Sequence, residues 1–310
     1  MKQYLDALRD IRENGCLKNP ARKGMPKYYE LNGLRMVFDF QDGFPIITTK
    51  YMYWKGIVGE LLWFLRGDTN IKFLVDNNIH IWDDDAFKYY NRLYPQFPIS
   101  KEEFIENVKN EKEFVSPNYK YGDCGKVYGY QWRHWEQFFD QIDNLIRSIK
   151  ETPDSRYHIV SAWNPQDFLN SQTSAALPAC HMMFQCFTRK KNNDDFLDLV
   201  MYQRSCDFFL GVPFNISSYA LLLYILSDIT GYLPGKFTWI GGSCHIYDNH
   251  LHQVDEQLNR KPLQLPTLSP AWGWKDRYLE QGWEGLKISD FELSNYQHLD
   301  KIKAPLSVGV

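Results

Sequence analysis

The chain has 310 residues, 44% of them hydrophobic and 16% aromatic, with a formal charge of −3. That balance supports a globular core and excludes a strongly basic surface of the kind that holds polyanions, so any phosphate must be met by individual arginines. No Pro-, Ser- or Gly-rich linker divides the sequence, which reads as one domain over 1–310.

The opening MKQYLDALRDIRENG sets Leu5, Leu8 and Ile11 on one helical face, with charges between them and no apolar stretch like that of a signal peptide. Short apolar alternation predicts a strand over 28–40, and Ile57, Val58, Leu61 and Phe64 predict a helix over 54–65 that stops at Gly67. Glu60 falls on or beside the buried face of that helix. Residues 84–124 are polar and read as a surface insertion with a short helix, capped by Ser100 and Glu103 ahead of Phe104 and Val108. Phe138, Ile142, Leu145 and Ile149 mark a further helix, ended before Pro153. Strands are expected at 157–163, 182–188, 196–202 and 237–240, and an almost wholly apolar helix at 218–230. A helix from about Tyr247 and a proline-punctuated tail follow. The order is mixed α+β, with strands clustered rather than alternating with helices.

Apolar runs such as 219–226 fall short of the roughly 20 residues of a membrane span. Cys16, Cys124, Cys180, Cys186, Cys206 and Cys244 form no CxxC pair, so reduced thiols in a soluble, cytoplasmic protein without a structural metal are expected.

Three stretches carry candidate chemistry. In ALPACH, Cys180 precedes His181; a nucleophilic thiolate needs nearby cations or donors, and a buried structural thiol is the competing reading. In QRSCDFFLGVPFN, Arg204 and Ser205 suit phosphate, and the Asn215 amide suits a pyrimidine edge. A buried Arg204–Asp207 pair with a turn asparagine stands as the alternative. In GGSCHIYDNH, a Gly-Gly turn precedes His245 and Tyr247, which on extended chain share a face and suit sugar hydroxyls. No Cys/His spacing makes His245, His250 and His252 a metal site. A buried Glu60 would gain proton affinity, as an acid/base group needs, whereas a solvent-reaching carboxylate would not.

With DGFPIITTK, GELLWFLRGDTNI, IHIWD, KVYGYQWRHW, PDSR, VSAWNP and IKAP added to these stretches, the sequence resembles the thymidylate synthase family over essentially its whole length. The resemblance implies a mixed twisted β-sheet packed with helices, one sheet face forming a homodimer interface. It implies that Cys180 adds to carbon 6 of the uracil of dUMP, and that carbon 5 then takes a one-carbon unit from 5,10-methylenetetrahydrofolate, which also supplies hydride. The products would be dTMP and dihydrofolate. By the same resemblance Glu60, Asn215 and His181 would manage proton transfers, and Tyr128 would assist loss of the proton at carbon 5. Arg22, Arg204 and Ser205 would bind phosphate, with Arg204 also near the Cys180 sulfur, and Arg156 would reach across the dimer. Asp207 and Asn215 would hold the pyrimidine, and His245 and Tyr247 the deoxyribose. Ile81, Trp82, Asp207, Leu210, Gly211 and Phe214 would line the folate site, with Lys50 at its glutamate tail. The resemblance also implies that Asn215 would select uracil, because related deoxycytidylate hydroxymethylases carry Asp there.

The sequence departs from the family pattern at several points. The phosphate loop reads RKGMPK, the usual second arginine after Asp154-Ser155 is Tyr157, and the second proline before the nucleophile is Ala179. IWDDDAF lacks a second tryptophan, and the tail KAPLSVGV is longer than usual. Tyr157 removes one trans phosphate ligand, which weakens phosphate binding unless Lys23 or Lys27 compensates. Two rival readings follow: a dUMP hydroxymethylase, in which water replaces hydride, and a non-catalytic RNA-binding regulator on the same scaffold. No membrane and no obligate nucleic-acid partner is expected.

Overall fold

The computed structural model describes residues 1–21, 24–114, 119–169 and 174–306. Helix α1 (Lys2–Asn14) buries Tyr4, Leu5, Leu8 and Ile11, the face set by its 3–4 spacing. It is followed by β1 (Cys16–Lys18), β2 (Tyr28–Asp39) and α2 (Trp54–Leu65). Gly67, at φ +76°, turns the chain out of α2; a Cβ there would lie 2.7 Å from the His134 ring.

The segment at 84–124 holds more order than the expected single helix. After α3 (Lys72–Asp76), both α4 (Asp83–Leu93) and α5 (Lys101–Lys109) form, the latter capped by Ser100 Oγ accepting from Glu103 N at 3.1 Å. The ring of Tyr90 packs against Tyr94, Phe104, Phe114, Tyr119 and Tyr121, so aromatic residues scattered through a polar stretch supply a local core.

Helices α6 (Tyr128–Arg133) and α7 (Gln141–Glu151) come next. The Asp140 side chain accepts from Asp143 N and starts α7 there, so Phe138 lies outside the helix and is 86% exposed, contrary to its expected place in the apolar stripe. Then follow β3 (Ile159–Ser161), α8 (Gln166–Leu169), β4 (His181–Lys191), β5 (Asp194–Asp207), α9 (Gly211–Thr230) and β6 (Leu233–Tyr247). The last third holds α10 (Leu251–Leu258), β7 (Thr267–Pro270), α11 (Trp274–Gln281) and β8 (Phe291–Ser294).

Six strands form a mixed sheet in the order β1-β2-β6-β5-β4-β3, and β7 pairs with β8 separately. Among the described residues only β5 and β6 run parallel. This is the α+β arrangement with a mixed sheet expected from the sequence. One sheet face, with Met36, Phe184, Leu199, Met201, Phe237 and Trp239, is buried. Helix α9 crosses it, buried nearly all round. Its 20 residues meet the length and hydropathy of a membrane span, correcting the expectation that no segment does, yet most of the helix is buried inside the protein.

The Gly-Gly pair before His245 is not a turn. Gly241 and Gly242 lie within β6, where a Cβ on Gly241 would sit 2.1 Å from the Trp239 ring and one on Gly242 would sit 2.7 Å from the Tyr202 hydroxyl. Close packing, rather than a reversal of the chain, requires glycine at both positions.

Candidate active site

Because β5 and β6 are parallel while β2 and β4 oppose them, the C-terminal ends of the first pair meet the N-terminal ends of the second at one edge of the sheet. A cavity of about 360 Å³ opens there. Its described lining includes Cys180, Tyr128, Arg204, Ser205, His245 and Tyr247. Six predicted residues from distant parts of the chain therefore converge.

Cys180 differs from the other thiols. Cys124, Cys186, Cys206 and Cys244 are buried, and burial pushes the first three thiols up. Cys180 is half-buried on the cavity wall, with Arg204 Nη2 at 4.0 Å from its sulfur. A guanidinium at that distance favours negative charge on sulfur. Arg204 is held by Nε donating to Ala179 O at 2.8 Å and Nη2 donating to Pro178 O at 3.2 Å, and it lies over the Trp163 ring. It forms no ion pair with Asp207, so the buried-pair alternative fails; Asp207 Oδ1 instead accepts from Phe209 N and Leu210 N at the turn into α9.

Tyr128 meets the nucleophile from the other side. Its oxygen accepts from Cys180 N at 2.8 Å, and its ring stacks on His181 at 4.0 Å. Burial raises its pKa, so its hydroxyl keeps its hydrogen at neutral pH. His181 Nδ1 pairs with the Tyr219 hydroxyl at 2.9 Å, and burial pulls its pKa down to about 3, so the imidazole is neutral.

Glu60 does not line this cavity but stands behind Tyr128, whose pKa it helps to raise. Trp82 Nε1 donates to Glu60 Oε1 at 2.7 Å, and burial outweighs that bond, lifting the carboxyl to about 7. Glu60 is thus a buried acid near its midpoint at neutral pH, the property a proton-transfer group requires.

Asn215 sits one turn into α9, close to Asp207 and Gly211, and its orientation is fixed from a distance. Trp239 Nε1 can only donate, so the group facing it at 3.0 Å is Gln203 Oε1. The Gln203 amide NH₂ therefore points to Asn215 Oδ1 at 3.0 Å, which leaves Asn215 Nδ2 on the opposite branch.

His245 and Tyr247 take alternate positions on β6, rings 5.1 Å apart, with Tyr28 of β2 packed on both. His245 Nδ1 donates to Ser243 O at 3.1 Å, and burial lowers its proton affinity, so Nε2 is an acceptor. Tyr28, Gln203, Trp163 and Tyr219 were not singled out from the sequence. Strand pairing brings Tyr28 and Gln203 to the site, α9 brings Tyr219, and the segment just after β3 brings Trp163.

The remaining predicted residues lie around this core. Ile81 is exposed, Trp82 is buried, and Leu210, Gly211 and Phe214 are half-buried at the start of α9. Lys50 is buried rather than presented to solvent: Nζ donates to Phe209 O at 2.5 Å and lies over the Phe209 ring, and burial lowers it to about 7. Arg156 is exposed beside edge strand β3 and does not line the cavity, and Tyr157 is 85% exposed. Arg22 and Lys23 of the expected phosphate loop, and Ser307–Val310 of the tail, lie outside the described residues.

A half-buried thiol beside a cation on a cavity wall, with a buried acid near neutral pKa behind it, is the set of groups that covalent nucleophilic catalysis requires. Comparison with protein families matches residues 2–308 to the thymidylate synthase family. The chain belongs to that family, whose enzymes carry out folate-dependent one-carbon transfer to dUMP with methylenetetrahydrofolate as cosubstrate.

Proposed function

We propose that the protein converts dUMP and 5,10-methylenetetrahydrofolate to dTMP and dihydrofolate through a covalent Cys180 adduct. The observation that carries this reading is Cys180 on the cavity wall between the Arg204 guanidinium and Tyr128. Arg204 and Ser205 hold the phosphate, joined by Arg22. His245 Nε2 accepts from the deoxyribose 3′ hydroxyl, and Tyr247 binds beside it. Asn215 Nδ2 donates to the carbonyl at ring position 4; cytosine would present an amine there and set donor against donor, so the amide orientation supports uracil.

Cys180 adds to carbon 6, and the charge that develops on the ring is met by Asn215 and by the protonated fraction of Glu60. Tyr128, still carrying its hydrogen, does not take the carbon 5 proton itself but orients by hydrogen bonding the water that accepts it, while neutral His181 sets the position of that hydroxyl by stacking. The folate supplies the carbon and the hydride. The half-buried apolar surface of Leu210 and Phe214 fits a planar ring system, while the buried Trp82 holds Glu60 and Lys50, tied to Phe209, shapes the floor rather than greeting a carboxylate.

We also infer a homodimer. Ile159, Met183, Phe187, Val200, Tyr202 and Ile240 share the second sheet face through their register, and none of them is fully buried. These residues stand among Gln185, Asp198 and Thr238 on that face, a partly exposed mixed surface of the kind that a partner subunit covers. Arg156, at the rim of that face, is positioned to serve a neighbouring site.

Incubation with dUMP and methylenetetrahydrofolate tests the reaction, with mass analysis of the nucleotide and absorbance of dihydrofolate. Thymidylate with stoichiometric dihydrofolate is expected. A 5-hydroxymethyl product with tetrahydrofolate would replace the methylation reading by the hydroxymethylase one. Absence of product, with Cys180 unmodified by 5-fluorodeoxyuridylate, would remove both and return the RNA-binding reading.

A further inference from the structure

One polar stripe runs along α10 and just beyond both its ends: His250, Gln253, Gln257 and Arg260, at spacings of three and four that share a helix face. His250 Nε2 donates to Pro305 O at 2.7 Å, Gln253 Nε2 to Lys303 O at 3.4 Å, and Arg260 Nη1 to Asp300 O at 2.5 Å. The same Arg260 nitrogen reaches Thr49 O, and Gln257 Nε2 reaches Thr49 Oγ1. The tail is therefore gripped by its backbone carbonyls at 300, 303 and 305, with Ile302 buried between the last two grips and the start.

His250 is the rung nearest the cavity. It is fully buried, and its ring packs at 5.6 Å against both Phe209 and Tyr247. Phe209 O holds Lys50, and Tyr247 lines the nucleotide cavity. Because a carbonyl only accepts, Nε2 carries the imidazole hydrogen; Nδ1 has no hydrogen-bond partner among the described residues, so the ring's one polar tie is to the tail. We infer that His250 is a positioning residue that couples the nucleotide cavity to the tail, transmitting the placement of Tyr247 to Pro305. Its effect on catalysis rests on the methylation reading given above. In that setting a tail set correctly by His250 keeps water from competing with hydride at the reacting carbon.

Two variants separate the donor from the ring. His250→Phe keeps a planar ring and loses the hydrogen bond, whereas His250→Gln restores an N–H at similar reach. Hydrogen exchange over residues 299–306, without folate or turnover, is expected to be about tenfold faster in His250→Phe, the loss of one hydrogen bond, and near wild type in His250→Gln. Saturating dUMP is expected to slow that exchange in wild type and not in His250→Phe. In turnover, His250→Phe is expected to raise the folate KM about fivefold, leave the dUMP KM within about twofold and lower the dihydrofolate formed per nucleotide product, with rescue by Gln. Equal tail exchange in all three proteins, no response to dUMP in wild type, or Gln behaving as Phe would overturn the coupling. If His250→Phe does not fold, His250→Asn, too short to reach Pro305, takes its place under the same criteria. A wild-type protein that makes no product sinks the methylation reading while the exchange measurements still decide the coupling.

Discussion

Glu60 sets stability against activity in a single side chain. Its folded pKa of about 7 lies above its ordinary 4.5, so the native state holds a proton that the unfolded chain releases. Native stability therefore falls as pH rises from 4.5 to about 7 and levels off beyond it. Glu60→Gln keeps an acceptor for Trp82 and removes the charge. Its unfolding free energy is expected to exceed wild type by roughly 3 kcal/mol at pH 8 and by less than about 1 kcal/mol at pH 5. Its kcat is expected to fall by about 10²–10⁴. Urea titrations at the two pH values decide the first point, since an equal gain at both would mean that burial of the charge is not the cause. Gln203 acts at the same scale without touching substrate. Gln203→Leu frees the Asn215 amide to rotate and leaves the Trp239 N–H unpaired. A fall of about 10- to 100-fold in kcat/KM for dUMP is expected, with narrower discrimination against dCMP, as two hydrogen-bond orientations are lost. Unchanged discrimination would show that Asn215 holds its orientation by other means.

At the scale of elements, β6 ties the sheet to the site. Gly241→Ala would press a methyl into Trp239 and Cys244, and Trp239 is the anchor from which Gln203 and Asn215 take their orientation. Destabilisation of about 1–3 kcal/mol is expected, together with weaker dUMP binding; normal affinity in a destabilised protein would separate packing from site geometry. This strand also marks the limit of what the sequence made legible. Periodicity located α1 and α2 well, because an apolar stripe with charges between has one reading. The expected strand at 28–40 matches β2 and that at 157–163 exceeds β3, whereas β4, β5 and β6 run well beyond their expected spans: β6 covers 233–247 against an expected 237–240, since glycines that permit close packing look like a turn when their neighbours in space are unknown. The aromatic core of 84–124 was hidden for a related reason, its rings being too widely spaced to form a periodic pattern. Cys180, Arg204, His245 and Tyr247 were legible as separate motifs, but Tyr28, Gln203 and Tyr219 became visible only through strand pairing and helix packing.

At the scale of the whole molecule, the two faces of the sheet obey different rules. Register alternation buries Phe184, Leu199 and Trp239 beneath helices while their neighbours Met183, Val200 and Ile240, also apolar, are only half-buried. These partly exposed apolar side chains are what the proposed dimer contact would cover. Val200→Glu, which would place a carboxylate in the middle of the proposed contact, is expected to convert a dimer to monomers in light scattering and to abolish activity. If Arg156 completes the partner's phosphate site, two inactive proteins should repair one another. Cys180→Ser retains Arg156 but lacks the nucleophile, and Arg156→Ala retains the nucleophile but lacks the trans cation. Mixed and allowed to exchange subunits, they form heterodimers in which one site has both Cys180 and an intact arginine from across the interface, while the other site has neither. With random exchange about half the dimers are mixed, so activity near one quarter of wild type is expected. Recovery of activity with time after mixing would support a shared site, and it should fail when either partner also carries Val200→Glu. Should Arg156→Ala alone retain full activity, Tyr157 would mark a chain in which the trans phosphate contact has been given up altogether.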